Sequence, residues 1–330
     1  MKVKKLILFI VIIFFLPVAS QAQTKIIFDT DFGGDADDLG ALVMLHHFID
    51  RGECDLLGIM CWSAERYAVS AIDAVNRFYG HPEIPVGARS ADVFFTGWNY
   101  TKPISDRFPH KLDHDNVPDA VVLYREILAG SPDSSVVIVT VGPLKNIENL
   151  LRSGSDSISG LTGRELIRRK VREFVIMGGQ YPEGDNEWNF DGAMRGVTQY
   201  VISEVSTPIT FLGYEIGEAV KTGEVFNDID HNTPLYVGFM HFSKNAPWVK
   251  DRFRGRILDN STFDQTAVLY AVRGGVCTYW SRVTGGRCIP DATGGNKWIT
   301  DTGSNHSYLV LKMDPEKLAK QIENFMLGEF

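Results

Sequence analysis

The chain has 330 residues, of which 44% are hydrophobic and 22% are charged, proportions that are ordinary for a globular protein with a sizeable core. They exclude intrinsically disordered, collagen-like and repeat architectures. Acidic residues outnumber basic ones by 41 to 33, giving a formal net charge of −8, and such an acidic surface disfavours nucleic acid and anionic membranes as partners.

The N-terminal segment has the pattern of a cleavable secretory signal. Lys2, Lys4 and Lys5 precede an apolar run at 6–16, and a small-residue pattern S-Q-A follows. About eleven apolar residues are too few to span the roughly 30 Å hydrocarbon core of a bilayer. We therefore predict that residues 1–22 are a signal peptide, that 23–330 form a single folded domain with no membrane contact after cleavage, and that the protein is exported, to the periplasm or the medium.

The cysteine content indicates neither a disulfide scaffold nor a zinc ribbon. The chain has four cysteines, Cys54, Cys61, Cys277 and Cys288, and their spacing fits no usual zinc site. Export to an oxidising compartment permits a bridge, so the sequence leaves open whether Cys277 and Cys288 pair.

Alternating strand and helix patterns predict an α/β fold with an open, mostly parallel, doubly wound (Rossmann-like) sheet. Strands are predicted at 25–29, 55–62, 84–86, 135–141, 170–177 and 206–212, and helices at 39–46, 68–79, 119–128 and 147–151. In such sheets, ligands bind outside the carboxyl ends of the strands. We therefore expect five segments to meet at one edge, namely 29–38, 62–66, 141–146, 178–189 and 213–215.

Two segments have no clear period. The segment 91–117 is rich in aromatic residues, Pro, Asp and His, and we predict a long irregular excursion over the surface, of the kind that is often functional. The glycine-rich stretch 284–296 is interpreted as a mobile lid.

The turn after the first predicted strand is strongly acidic. The sequence F-D-T-D-F-G-G-D-A-D-D-L-G-A-L contains Asp29, Asp31, Asp35, Asp37 and Asp38 between a buried strand and an apolar helix. Carboxylates that converge at a strand end need a cation, and ligands that are all oxygen select calcium or magnesium over zinc. A merely helix-capping acidic loop is the alternative.

Two other interpretations of this turn depend on spacing. An EF-hand loop that starts at Asp29 would need an acid at its fifth place and Glu at its twelfth, where the chain has Gly33 and Gly40, so this interpretation fails. The D-x-D pattern after an apolar strand also resembles the nucleophile motif of haloacid-dehalogenase-like phosphatases, D-x-D-x-T or V. Gly33 occupies its last place, and this interpretation stays an alternative.

The turn more closely resembles the opening motif of the inosine-uridine-preferring nucleoside hydrolase superfamily, D-T-D-P-G-x-D-D-x-x-A-L. Aligning the shared D-D-x-x-A-L places Asp31, Asp37 and Asp38 on the three site aspartates of that family. Phe32 replaces the family's Pro, and the turn is longer. The extra residues include Asp35, whose role the sequence leaves open.

Three later segments carry the same resemblance. The sequence V-T-V-G-P-L-K-N resembles the family's G-P-L-T-N element, which implies that the carbonyl of Val141 is a calcium ligand. The sequence M-G-G followed by G-D-N-E-W-N-F resembles the ribose-binding element and implies that role for Glu187 and Asn189. The sequence T-F-D-Q-T resembles the H-D-P element and implies a calcium and ribose role for Asp264. Phe263 replaces the family's His, which is tied to activation of the leaving group.

The resemblance implies a single-domain fold of the nucleoside hydrolase type and hydrolysis of the N-glycosidic bond of ribonucleosides to ribose and free base, in nucleoside catabolism. It implies that Asp31 activates a calcium-bound water. The implied Ca2+ ligands are Asp31, Asp38, Val141 and Asp264, and the implied ribose-binding residues are Asp37, Glu187, Asn189 and Asp264. Similar proteins form dimers or tetramers, so a homo-oligomer stays open.

One residue keeps two other functions open. Because Phe263 cannot donate a proton, the chain could instead be an exported protein that binds nucleosides or related ribosides without turnover. Alternatively, it hydrolyses a different riboside. The sequence does not select the base, because apolar pockets discriminate weakly between similar groups.

Overall fold

The computed structural model describes residues 23–330, so the predicted signal peptide lies outside the described residues. The strands are β1 (Thr24–Thr30), β2 (Cys54–Cys61), β3 (Val86–Ala88), β4 (Val136–Thr140), β5 (Val171–Met177), β6 (Glu183–Gly184), β7 (Ile209–Leu212), β8 (Lys221–Thr222), β9 (Asn260–Ser261), β10 (Trp280–Val283), β11 (Gly286–Pro290), β12 (Asn296–Thr300) and β13 (His306–Leu311).

The α-helices are α1 (Asp37–Asp50), α2 (Ala68–Phe78), α3 (Thr101–Arg107), α4 (Ala120–Gly130), α5 (Lys145–Arg152), α6 (Gly163–Lys170), α7 (Trp188–Asp191), α8 (Val197–Glu204), α9 (Tyr214–Ala219), α10 (Pro234–Asn245), α11 (Phe263–Arg273) and α12 (Pro315–Met326). Two short 3₁₀-helices cover Glu224–Asp228 and Lys250–Arg252. Within residues 23–330, no helix combines the length and the apolar character that crossing a bilayer requires.

The main sheet has eight strands in the order β10-β13-β7-β5-β4-β1-β2-β3. Seven of them run parallel, and β10 is an antiparallel edge strand next to β13. Two small antiparallel sheets, β11-β12-β6 and β8-β9, lie outside it. The predicted open, mostly parallel, doubly wound sheet is therefore confirmed.

Helices cover both faces of the sheet, which explains why its central strands are continuously apolar. All five residues of β4 are buried. Adjacent side chains of a strand point to opposite faces, and in β1 they enter different cores. Phe28 packs in the core that includes α1 and α11, whereas Ile27 packs in the core that includes α4 and α5.

The strand register brings the predicted segments to one edge. Thr30 at the end of β1 lies opposite Cys61 at the end of β2, and Asp29 lies opposite Thr140 at the end of β4. On the other side of β4, β5 ends with Met177 opposite the last residue of β7. The loops that follow these five strands therefore surround a common site.

The two irregular segments are more ordered than predicted. The segment 91–117 contains α3, and its residues Tyr100 and Thr101 are fully buried rather than spread over the surface. The glycine-rich stretch forms most of the β11-β12 hairpin. Alternate residues of β11 are buried, a strand pattern that its glycine and proline obscure in the sequence.

The four cysteines are all free. Cys277 is exposed before β10, whereas Cys288 is buried in β11. The structure therefore resolves the open question about this pair in favour of two unpaired thiols.

Candidate active site

Three carboxylates converge where two helices begin. Asp37 and Asp38 are the first residues of α1, Asp264 is the second residue of α11, and all three are at most 3% exposed. One carboxylate oxygen from each lies within 4.8 Å of the others. Helix N-termini favour negative charge, but they do not compensate three buried carboxylates in one place. We call Asp37, Asp38 and Asp264 the carboxylate cluster.

The electrostatics of the carboxylate cluster are unfavourable without a counter-charge. Burial raises the pKa of Asp37, Asp38 and Asp264 well above the ordinary range, and repulsion between the carboxylates raises it further. The hydroxyl of Thr30, at the end of β1, donates a hydrogen bond to Asp38. A buried donor set made only of oxygen fits a hard divalent cation.

Asp31 is not a member of the carboxylate cluster but lies next to it. Its Oδ2 accepts a hydrogen bond of 3.0 Å from the indole Nε1 of Trp188. Burial raises the pKa of Asp31 to about 6. The turn after β4 approaches closely, because a Cβ atom on Gly142 would lie 2.9 Å from both the Cβ and the backbone nitrogen of Asp31. Only glycine fits there without displacing Asp31.

Glu187 and Asn189 connect the loops that follow β4 and β5. The Nδ2 of Asn189 donates to the carbonyl oxygens of Val141, at 3.0 Å, and Met177, at 3.2 Å. Glu187 accepts hydrogen bonds from three backbone N–H groups at 2.8–3.1 Å, and burial raises its pKa to about 7. The structure therefore places Val141, Glu187 and Asn189 in one hydrogen-bonded network.

Asp29 has two partners that the sequence analysis did not assign. Its Oδ2 accepts a hydrogen bond of 2.7 Å from the hydroxyl of Tyr124, and its Oδ1 accepts one of 3.0 Å from the Nδ2 of Asn146. Burial raises the pKa of Asp29 to about 7. Asn146 closes the G-P-L-K-N motif, which is a usable signal, whereas nothing in the sequence distinguishes Tyr124 from other core residues of α4.

The segment 91–117 covers the acidic turn. The backbone N–H of Gly33 donates a hydrogen bond of 3.1 Å to the hydroxyl of Tyr100. The φ angle of Gly33 is 131°, a backbone conformation that favours glycine. The hydroxyl of Thr101 donates a hydrogen bond of 2.6 Å to the carboxylate of Glu65, in the loop after β2. Segment 62–66, which was predicted to lie at this edge, therefore binds the segment that covers the acidic turn and contributes no residue to the carboxylate cluster.

Asp35 lines a cavity next to the carboxylate cluster. It accepts a hydrogen bond from the side-chain amide of Asn260, and burial raises its pKa to about 6. The cavity has a volume of about 490 Å³. Its other walls include Tyr214, Trp248 and Phe263, the residue before Asp264. We call this space the aromatic cavity.

The model of one protein family, the inosine-uridine preferring nucleoside hydrolases, matches residues 26–320. The chain belongs to this family. It is therefore a hydrolase that acts on N-glycosyl bonds of small-molecule nucleosides, in a family whose members generally bind a metal. The family assignment replaces the phosphatase alternative for the D-x-D pattern.

Solved structures show the same fold. A purine-preferring ribonucleoside hydrolase from Gardnerella vaginalis is similar at 16% identity and a TM-score of 0.67, over 92% of this chain and 99% of that one. A plant nucleoside hydrolase is similar at 16% identity and a TM-score of 0.66, over 92% of this chain and 98% of that one. An inosine-uridine preferring nucleoside hydrolase from Bacillus anthracis is similar at 13% identity and a TM-score of 0.64, over 93% of this chain and 100% of that one. No curated protein sequence matches the chain.

Proposed function

We propose that the protein hydrolyses ribosides at the carboxyl edge of the main sheet, with Ca2+ as cofactor and Asp31 as general base. The observation that carries this proposal is the convergence of three buried carboxylates, the carboxylate cluster, beside Asp31. Ribose release from ribosides by the purified protein tests it directly.

The proposed donor set consists only of oxygen atoms, which calcium prefers as ligands. Asp38 and Asp264 would hold it from the N-termini of α1 and α11, with the carbonyl of Val141 and the carboxylate of Asp31 from neighbouring strand ends. A carbonyl oxygen has two lone pairs, so Val141 retains one beside its bond to Asn189. A bound divalent cation supplies positive charge that lowers the pKa of a nearby water molecule.

Asp31 is suited to receive the proton of that water molecule. It lies outside the carboxylate cluster, and its Oδ2 is oriented by the indole of Trp188 at 3.0 Å. Without a bound cation, burial raises the pKa of Asp31 to about 6, and a calcium ion held there would favour the ionised carboxylate that accepts a proton. The N-glycosidic bond breaks through a transition state with positive charge on the sugar, and the surrounding carboxylates stabilise that charge.

The ribose is proposed to bind between the two helix N-termini and the loop after β5. Asp37 and Asp264 offer carboxylate oxygens from the carboxylate cluster. Glu187 is buried close enough to Asp31 to be affected by its charge, and Asn189 is buried against the carbonyl of Val141. Glu187 already accepts three backbone N–H groups, so the loop that presents it is held in place before substrate arrives. A preorganised site spends less binding energy on ordering side chains.

Calcium is expected to raise the melting temperature of the chelator-treated protein. Binding to the folded state alone stabilises it by about 2.7 kcal/mol at a concentration of 100 times Kd. With about 2.1 cal/mol/K of unfolding entropy per residue, that corresponds to roughly 4 °C for residues 23–330. Thermal unfolding followed with and without added calcium measures the shift.

The matched variants are Asp264→Asn and Asp92→Asn, of which Asp92 is exposed and is not part of the carboxylate cluster. The first should lose most of the calcium-dependent shift, whereas the second should retain it. A shift of equal size in both variants would contradict the assigned cation site.

We also propose that the protein acts outside the cytoplasm. The basic and apolar pattern of residues 1–22 supports this proposal. Cell fractionation followed by N-terminal sequencing is expected to give a mature chain that begins at residue 23.

A further inference from the structure

The aromatic cavity has rings on several sides, each held by a neighbour. The ring centroids of Tyr214 and Phe263 are 5.2 Å apart, and Trp248 packs edge-on against Trp98 at 5.2 Å. Trp248 is 55% exposed and Tyr214 39%, so part of each residue remains accessible to a ligand. Phe263 is adjacent in the chain to Asp264, which connects the aromatic cavity to the proposed ribose site.

The hydroxyl and ammonium groups that line the aromatic cavity are engaged with one carboxylate. Glu218 lies 3.0 Å from the Nζ of Lys221 and accepts hydrogen bonds from the hydroxyls of Ser261, at 2.9 Å, and Tyr214, at 3.3 Å. The other cationic side chain in the lining is the guanidinium of Arg252. Among the described residues that line the aromatic cavity there is no histidine.

The charge of the aromatic cavity favours a cation. Glu218 and Lys221 neutralise each other, which leaves the carboxylates of Asp35 and Asp259 against the guanidinium of Arg252. Aromatic faces add to this preference, because their electron density attracts cations. A flat cationic ring therefore has both stacking partners and counter-charges in this space.

The chemistry of the leaving group also favours a substrate with a cationic ring. A neutral nucleobase must gain a proton when its bond to C1′ breaks, and Phe263 has none to give. A positively charged aromatic aglycone needs no proton, since the electron pair of the breaking bond makes it neutral. The absence of an imidazole at position 263 therefore matters less for a cationic aglycone than for a neutral one.

We propose that the preferred substrates are ribosides of a cationic nitrogen heterocycle, the class of N-ribosylpyridinium compounds. The C1′–N bond breaks, its electron pair returns to the ring nitrogen, and the oxygen of water bonds to C1′. Water loses one proton, so the products are ribose, neutral pyridine and H⁺. This inference rests on the proposed riboside hydrolase function and adds its substrate class.

The test compares kcat/KM for an N-ribosylpyridinium salt and for uridine, with saturating calcium and with spontaneous hydrolysis subtracted. We expect the wild-type protein to prefer the pyridinium riboside at least about 10-fold. Phe263→His should raise turnover of uridine by about 10²-fold or more, because it restores a proton donor, and should not raise turnover of the pyridinium riboside.

Two further variants test recognition of the charge. Asp35→Asn and Trp248→Leu should each lower kcat/KM for the pyridinium riboside about 3- to 30-fold, with a smaller change for uridine. Asp92→Asn serves as the surface control. Each variant is first checked for the wild-type circular dichroism spectrum, so that a failure to fold is not taken for a loss of recognition.

The outcomes separate this inference from the proposed function. Uridine turned over as fast as the pyridinium riboside by the wild-type protein would overturn the inference while supporting riboside hydrolysis. Loss of uridine turnover in Asp35→Asn would also overturn it, because Asp35 would then be the missing proton donor. No ribose from either compound would contradict both the inference and the proposed function.

Discussion

The 2′-deoxy analogue of the best riboside substrate is expected to react with a kcat/KM about 10⁴- to 10⁵-fold lower than that of the riboside itself. The physical reason is burial. Asp37, Glu187 and Asn189 are each at most 6% exposed, and the proposal assigns them to the ribose hydroxyls. When a hydroxyl is missing, the buried groups that would bind it lose a hydrogen-bond partner, and each unpaired buried group costs about 1–3 kcal/mol.

The comparison requires the same base in both compounds, so that only the sugar changes. Initial rates of base release at low substrate concentration give kcat/KM for each. The Asp37→Asn variant provides a matched test, because it should slow the riboside and narrow the ratio between the two compounds. A ratio below about 10 in the wild-type protein would exclude the assigned ribose contacts.

Asp31→Asn is expected to lower kcat by about 10²- to 10⁴-fold, the usual contribution of a general base. The substitution preserves the size of the side chain and an oxygen that accepts the indole hydrogen bond from Trp188. The fold should therefore survive, and the loss should come from the missing proton acceptor. The measurement is kcat at saturating riboside and saturating calcium.

Two controls separate the base from its surroundings. The melting temperature of Asp31→Asn with saturating calcium shows whether the cation still binds. Trp188→Phe removes the indole donor while Asp31 remains, so it should cost much less than the loss of the carboxylate. Turnover of Asp31→Asn within threefold of the wild-type rate would remove Asp31 as the base.

Much of the fold follows from patterns that are local in sequence. A parallel sheet covered on both faces needs strands that are apolar throughout, and the buried run that forms β4 shows this directly. Because the strands are parallel, the residues that follow them lie at one edge. This rule predicts that the turn containing Asp31 meets the loops containing Val141 and Glu187, and the strand register agrees.

The unpredicted parts of the site depend on contacts between residues distant in sequence. Tyr124 reaches Asp29 from a position 95 residues away, and a buried tyrosine on an amphipathic helix looks like any other core residue. Tyr100 reaches Gly33 across 67 residues, from a segment whose composition indicates only a loop. The indole bond from Trp188 to Asp31 spans 157 residues. Such pairs become visible only when the chain is folded.

Sequence spacing also left the position of Asp35 undetermined. The turn is longer here than in the family motif, and local pattern does not show on which side of the turn the added residues lie. The structure places Asp35 against Asn260, at the wall of the aromatic cavity and next to the carboxylate cluster rather than within it. Asn260 is 225 residues away in the chain, so this contact had no local signal either.

Release of ribose tests the central claim most directly. The purified protein is incubated with calcium and a panel of ribosides that includes purine and pyrimidine ribonucleosides and an N-ribosylpyridinium salt, and reducing sugar is measured. We predict ribose from at least one member of the panel and a large loss of rate when a chelator removes the cation. Ribosides that bind to the protein without any release of ribose would contradict the account and identify a binding protein instead.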